Sequence, residues 1–266
     1  MTDITTKTTR ARPNRRFRRM AITATAALAM TLVPTMGSAG AITFTDPNDR
    51  CLPGADAPPA PVSDRDQITP IHIPSVDCVF AEGISTGRTD GTYGPFEMTT
   101  RAQMASFIVR SLEAAGYDLP PASDQGFTDI AGDTHEAAIN RLAAAGVTSG
   151  KTTTTYAPAE LVKRDQMASF LVQAAEYAFA ERSGTSNGVG ELLAMPGAMA
   201  FPDVATANVH FDNVNTAALV LGLADGMTTG LYSPGETVRR QQMASFLVRL
   251  VDLTLIPVGA EGAEAS

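Results

Sequence analysis

The residues best suited to chemistry in this 266-residue chain are three arginines, Arg101, Arg164 and Arg240. Each is the second residue of a recurring phrase, T-R-A-Q-M-A-S-F at 100–107, K-R-D-Q-M-A-S-F at 163–170 and R-R-Q-Q-M-A-S-F at 239–246. A guanidinium is a planar fork of donors matched to a carboxylate. At the start of a helix it adds to unpaired amides and to the positive end of the helix dipole. The chemistry implied is capture of an anionic group. Thr100, Lys163, Arg239, Gln103, Gln166 and Gln242 are the further candidate contacts. For the glutamines, helix capping competes with ligand contact as the reading.

Other chemistries find little support. There is no G-x-S-x-G, no H-E-x-x-H and no phosphate-binding Gly-Lys-Ser/Thr loop. No enzyme activity and no cofactor are expected. His72, His135 and His210 are the only histidines and lie eleven, eleven and twelve residues before a repeated glycine. They lack ligand-spaced partners, so hydrogen bonding at helix starts is expected rather than a metal site. Asp90, Asp133 and Asp225 do not have calcium-loop spacing.

The elements that must position the arginines follow from the same repetition. Tyr, Pro and Arg come ten, twelve and eighteen residues after a glycine in all three copies: Gly83/Tyr93/Pro95/Arg101, Gly146/Tyr156/Pro158/Arg164 and Gly222/Tyr232/Pro234/Arg240. A second glycine follows by four, at Gly87, Gly150 and Gly226. Regular self-similarity means copies of one supersecondary unit. Each copy reads as two helices joined by a structured loop, an all-α fold. In the second copy the first helix is expected over 136–145, with Gly146 as its left-handed C′ residue. The second helix is expected over 164–182, with Met167, Phe170, Leu171 and Ala174 at amphipathic spacing. Ala105, Ala168 and Ala244 let these second helices approach closely. The tyrosines are expected to anchor the loop on the helix that follows it.

Thr100 and Gln103 have capping-box spacing. Lys163 and Arg239 replace the threonine in the other copies, losing the hydroxyl and placing a cation where the dipole disfavours it. Two unfavourable choices at one place point to selection by something other than helix stability.

Residues 1–41 read as a cleaved export signal. Lys7, Arg10, Arg12, Arg15, Arg16, Arg18 and Arg19 precede an apolar run over 20–33 and a small-residue site at Ala39-Gly40-Ala41. That segment holds seven bases and one acid, so of the chain's 20 bases and 28 acids 13 and 27 remain, a net charge of −14. So acidic a chain is not a nucleic-acid binder, which needs clustered basic residues. No second long apolar run exists, so no transmembrane segment is expected after the leader. Export favours a disulfide between the only two cysteines, Cys51 and Cys78.

The motifs resemble those of the S-layer homology (SLH) domain: F-x-D at Phe127-Thr128-Asp129 and Phe201-Pro202-Asp203, with Phe44-Thr45-Asp46 as a displaced third instance. A glycine–hydrophobic pair follows at Gly83-Ile84, Gly146-Val147 and Gly222-Leu223, then Y-x-P, then the arginine phrase. The resemblance divides the chain into repeat 1 (42–118, carrying a Pro-rich insertion at 46–70), repeat 2 (119–183), an excursion (184–200), repeat 3 (201–256) and a disordered tail (257–266). It implies a pseudo-threefold assembly around a central three-helix bundle. It also implies a secreted, cell-wall-associated protein whose motif arginines contact a carboxylate of anionic cell-wall polysaccharide, often a pyruvylated polymer. Gln103, Gln166 and Gln242 stand where the family has glutamate, and the chain has no tryptophan where the family commonly has one. The alternative is a structural module of the envelope that recruits a protein partner without binding polysaccharide.

Overall fold

The computed structural model describes residues 57–183, 199–227 and 229–255. The expected leader, Phe44-Thr45-Asp46, Cys51, most of the 184–200 excursion and the 257–266 tail lie outside the described residues. Cys78 is buried on the first helix; its expected partner Cys51 is among the residues not described.

Among the described residues the regular structure is helical, with no strand. The helices are α1 (Ile73–Ala81), α2 (Arg101–Ala114), α3 (Glu136–Ala144), α4 (Arg164–Ser183), α5 (Phe211–Asn215) and α6 (Arg240–Leu255). Thr100 caps α2 in a complete capping box: its Oγ1 accepts from the Gln103 amide at 3.2 Å, and its own amide donates to Gln103 Oε1 at 3.1 Å. At α4 and α6 the glutamine half survives, Lys163 N to Gln166 Oε1 at 3.1 Å and Arg239 N to Gln242 Oε1 at 3.0 Å. In α4 the lost hydroxyl is replaced by Asp165, whose Oδ1 accepts from the Gln166 amide at 2.8 Å. The glutamine carbonyls are therefore engaged in capping.

α5 continues into a π-helical turn over Thr216–Val220, with the Leu221 amide donating to Thr216 O at 3.0 Å. A π turn absorbs one extra residue without breaking the helix. That accounts for the twelve-residue spacing from His210 to Gly222 where the other copies have eleven.

The first helix of each copy packs on the second helix of another: α3 on α2, α5 on α4 and α1 on α6. The second helices α2, α4 and α6 also contact one another. Met104, Met167 and Met243, with Ile108, Leu171 and Leu247, are buried at equivalent positions, and Ala105, Ala168 and Ala244 are buried beside them. Each large apolar side chain so placed contributes roughly 1.5–3 kcal/mol.

The residues that lead into the second helices run extended. Their buried amides need partners, and they find them in each other. Val162 N donates to Thr99 O at 2.9 Å, Thr99 N to Val238 O at 2.9 Å and Val238 N to Val162 O at 3.0 Å. The three bonds form a closed cycle among the three copies.

The two repeated glycines do different work. Gly83, Gly146 and Gly222 end the first helices at positive φ (+68°, +73° and +61°), with open space where a Cβ would stand. Gly150 also has positive φ (+80°), but a Cβ there would lie 2.5 Å from Phe127 Cε1 and 2.8 Å from two carbonyl oxygens. Gly226 is closed off in the same way by Phe201 at 2.5 Å, whereas beside Gly87 the ring is Phe80, from α1. Phe80, Phe127 and Phe201 each stack against the tyrosine of their copy, with centroids 5.9, 5.7 and 5.1 Å apart. The first copy thus supplies its ring from a helix instead of the F-x-D segment.

Two substitutions separate conformational from steric cost. Gly146→Ala is expected to lose about 1–2 kcal/mol, the price of a left-handed alanine. Gly150→Ala is expected to lose about 3 kcal/mol or more, since overpacking adds to that backbone cost. Chemical denaturation of the two variants checks the order; equal losses would remove Phe127 as the cause.

Candidate functional site

Each motif arginine is clasped by the tyrosine of another copy. Arg101 Nε donates to Tyr156 O at 2.8 Å, and Tyr156 Oη donates back to Arg101 O at 3.0 Å. Arg164 and Tyr232 repeat the exchange at 2.6 and 2.8 Å, and Arg240 and Tyr93 at 2.8 and 2.8 Å. The tyrosines therefore anchor on the second helix of a different copy, not on the helix that follows them in sequence, as expected from the order of elements. Sequence order does not decide the partner, because the loop crosses to a neighbouring copy. Burial pushes the three phenols well up, with the adjacent arginines opposing, so they remain neutral donors.

The guanidinium groups are held between aromatic faces. Arg101 Cζ lies 4.7 Å from the Tyr156 centroid and 5.3 Å from Phe170. The equivalent distances are 4.8 and 5.9 Å for Arg164 over Tyr232 and Phe246, and 5.0 and 5.5 Å for Arg240 over Tyr93 and Phe107. All three arginines are buried, Arg101 at 7 % exposure. None forms an ion pair among the described residues.

The helix amides are not open to a ligand. Arg101 N donates to Glu160 O at 2.8 Å and Ala102 N to Pro158 O at 3.0 Å. The same loop carbonyls, Glu236 and Pro234, and Glu97 and Pro95, take up the first amides of α4 and α6. Anion capture by free N-terminal amides, expected from the sequence, is thus corrected: only side-chain donors remain available.

The loops are tied down by a carboxylate. Asp129 accepts from the amides of Tyr156 and Ala157, both at 2.8 Å, and Asp203 from those of Tyr232 and Ser233 at 2.9 and 2.7 Å. In the first copy the same place is held by Asp64, which accepts from Tyr93 and Gly94 at 2.7 and 2.8 Å. The reading of Phe44-Thr45-Asp46 as the first F-x-D is therefore overturned. The Pro-rich insertion cannot extend to residue 70, because Asp64 and the buried Ile68 belong to the folded unit. Burial raises the carboxyls of Asp129 and Asp203, but the two amides each accepts from, with Arg101 and Arg164 nearby, bring them below their ordinary value.

A cleft stands open beside this frame. A cavity of about 520 Å³ is lined by Arg101, Gly150, Lys151, Gln166, Phe170 and His210, among others. It draws on three copies at once. Among the described residues Arg101 uses only Nε for hydrogen bonding, so its two terminal nitrogens are free to meet a ligand. Lys151 is paired with Glu160 at 2.5 Å at the exposed rim. Of the sequence candidates, Arg101 and Gln166 line this cavity. Thr100 is spent on its cap, Lys163 is exposed, and Arg239 lies over Phe96 at 5.7 Å. Lys151 was not foreseen; its signal is the basic residue after the second glycine, Arg88 or Lys151, in two copies of three.

The histidines are helix-start residues that bridge copies. A hydrogen bond joins Nδ1 of His135 to Ser106 Oγ at 2.7 Å, His210 to Ser169 at 2.8 Å and His72 to Ser245 at 2.9 Å. Among the described residues no cluster of His, Cys, Asp or Glu forms a metal site, and no helix is long and apolar enough to cross a membrane.

Residues 63–105 and 126–168 match the S-layer homology domain. The first matched segment opens beside Asp64, and each contains its copy's aspartate, glycine pair, tyrosine and arginine. Over 181 residues the chain is 28 % identical to an endoglucanase of Bacillus sp. (strain KSM-635), an alignment covering 67 % of this chain and 17 % of that protein.

The histidine bridges set a pH dependence. Burial first, then the neighbouring Arg249, lowers the His72 pKa; burial and Arg110, partly offset by Asp133, lower that of His135. The folded state thus favours neutral imidazole, and the unfolded chain binds more protons below about pH 6.5. Their stabilisation is complete above that pH and is lost as the pH falls towards the folded-state values. The melting temperature is expected to drop between about pH 7 and 5, and the His72→Asn/His135→Asn pair to flatten that drop. Parallel pH curves for the two proteins would refute it. The aspartates act in a lower window, their contribution fading as pH falls below about 4.

Proposed function

We propose that this chain is an exported cell-envelope protein that attaches non-covalently to anionic cell-wall polysaccharide through three SLH repeats. The third repeat is 201–256, which carries the aspartate, glycine, tyrosine and arginine positions of the two matched segments. The three copies form the pseudo-threefold assembly that the family resemblance implies, and the cyclic Arg–Tyr, His–Ser and main-chain bonds support this.

One observation carries the binding reading. Arg101 is buried in the floor of the 520 Å³ cleft, oriented through Nε and two aromatic faces, with its terminal nitrogens unpartnered. Orienting a guanidinium in advance removes entropy cost from carboxylate binding, and a desolvated wall strengthens the charge interaction. Lys151 at the rim adds a second cation. An acidic polymer carrying a carboxylate on each repeating unit fits an open cleft of this size. The arginines Arg164 and Arg240 occupy the same place in the other two copies.

Anchoring is favoured over hydrolysis, although the relative is named for an endoglucanase. That alignment reaches only 17 % of the relative. Glycoside hydrolysis ordinarily needs two carboxyl groups flanking the bond. The lining of this cleft contributes one, Glu160, and it is engaged by Lys151.

The test is co-sedimentation of the purified protein with bacterial sacculi that retain their anionic polysaccharide, against sacculi stripped of it by hydrofluoric acid. Retention is expected on the first and not the second, and is expected to weaken as salt rises. Arg101→Lys is expected to bind at least about tenfold more weakly, because an ammonium lacks the planar fork and the aromatic stacking. Lys151→Ala removes only an exposed ion pair, worth about 0–1 kcal/mol of stability, so its weaker retention would report binding and not folding. Equal retention of both folded variants would sink the arginine mechanism.

A further inference from the structure

The three clefts are built from one plan but differ at one helical position. Nine residues after each motif arginine stand Arg110, Gln173 and Arg249. Gln173 lines the open cleft with Arg101. Its counterparts are bonded to the loops that follow the helix-ending glycines. Arg249 Nη1 donates to Leu223 O at 3.4 Å, and its Nη2 forms an ion pair with Asp225. Arg110 Nη1 donates to Ile84 O at 3.3 Å. Ile84 and Leu223 follow the helix-ending glycines, as Val147 does in the second copy. Each arginine therefore reaches from the second helix to the glycine loop of its own copy, across the place where the open cleft has Gln173 facing Thr148, Ser149 and Gly150.

The electrostatics agree with that placement. Arg249 lowers the pKa of His72 and Arg110 that of His135, and these histidines correspond to His210 in the lining of the open cleft. In the third copy the loop itself supplies an anion. Asp225 stands where the second copy has Ser149, and Arg164 Nη2 donates to its carbonyl at 3.3 Å. Arg164 and Arg249 are thus both turned towards one residue of the chain's own loop. Arg101 has no such engagement among the described residues.

We infer that Gln173 makes the Arg101 cleft the one open polysaccharide site, while Arg110 closes the Arg240 cleft and the Arg249–Asp225 latch closes the Arg164 cleft. This rests on the polysaccharide-binding reading above and adds which cleft works and why. A guanidinium laid across the mouth both fills the volume a sugar ring would enter and occupies loop acceptors. At the third copy Asp225 also repels an incoming carboxylate. The three repeats act as one binding site held in a three-part frame.

Isothermal titration with short fragments of the anionic polysaccharide, released from sacculi by mild acid and sized to single repeating units, counts the sites. The wild-type chain is expected to bind about one fragment, and Gln173→Arg to bind at least about tenfold more weakly. That substitution installs the residue the fold already accepts at 110 and 249, and an unchanged melting curve shows that it is folded. The paired variant Asp225→Ser/Arg249→Gln is expected to gain a second site, so the stoichiometry rises to about two. Three sites in the wild type, or unaltered binding by Gln173→Arg, overturns the single-site inference and leaves polysaccharide binding standing. No binding by the wild type, in a titration where stripped and unstripped sacculi also fail to differ, overturns both.

Discussion

The structure depends on a reciprocal bond between a guanidinium and a phenol. A buried arginine is expensive unless its donors are satisfied, and a buried tyrosine hydroxyl needs an acceptor. Here each meets the other's main chain: the arginine Nε reaches the tyrosine carbonyl and the tyrosine hydroxyl reaches the arginine carbonyl. The exchange aligns the aromatic ring beneath the guanidinium, so hydrogen bonding and cation–π attraction demand the same geometry. Removing either partner strands the other's polar group in a dry site, which makes the pair worth more to the fold than its bond count suggests.

Because every clasp joins two copies, the frame is complete only when all three are present. Arg101 binds Tyr156, Arg164 binds Tyr232 and Arg240 binds Tyr93, which returns the chain to its first copy across 147 residues. The main-chain cycle through Thr99, Val162 and Val238 and the histidine–serine bridges follow the same circuit. Most contacts of this kind span long stretches of sequence, so folding must close large loops before the bonds form. A single copy has no partner for its arginine or its tyrosine and cannot bury either at low cost. The closed circuit also holds the walls of the Arg101 cleft on different copies, so the shape of that cleft depends on the frame as a whole.

Much of this was legible in the sequence, and the missing parts share a cause. The helices, the glycine C′ residues and the capping box of Thr100 and Gln103 depend on neighbours in the chain, and spacing alone reveals them. The direction of Tyr156 does not. It points away from the helix that follows it because the loop crosses to another copy, and no local pattern encodes that crossing. The first-copy aspartate was misplaced for a related reason. Asp64 is preceded by Val62 and Ser63 instead of an F-x pair, and its aromatic partner comes from Phe80 on α1, so the function of the motif persists while its letters move. The π turn after α5 was visible as a one-residue excess, but only the backbone shows where the extra residue is absorbed. The helix amides at the arginines looked open because their acceptors, the carbonyls of Glu160, Glu236 and Glu97, lie on other copies.

The contrast between the copies follows from the same geometry. Positions bonded to another copy are alike in all three: the arginine, the tyrosine, the histidine and the serine it meets. Two positions beside the clefts that make no such inter-copy bond differ: Arg88, Lys151 and Met227 after the second glycine, and Arg110, Gln173 and Arg249 on the second helix. A change at a frame position strands a buried group on a neighbouring copy, whereas a change at a cleft position alters only what the cleft can admit. The frame is thus fixed by mutual burial and the clefts are released to diverge. The arginine belongs to both sets. Its Nε is held by the frame in all three copies, so folding alone keeps the side chain, and on the proposed reading binding draws on its terminal nitrogens only where the surroundings leave them unengaged.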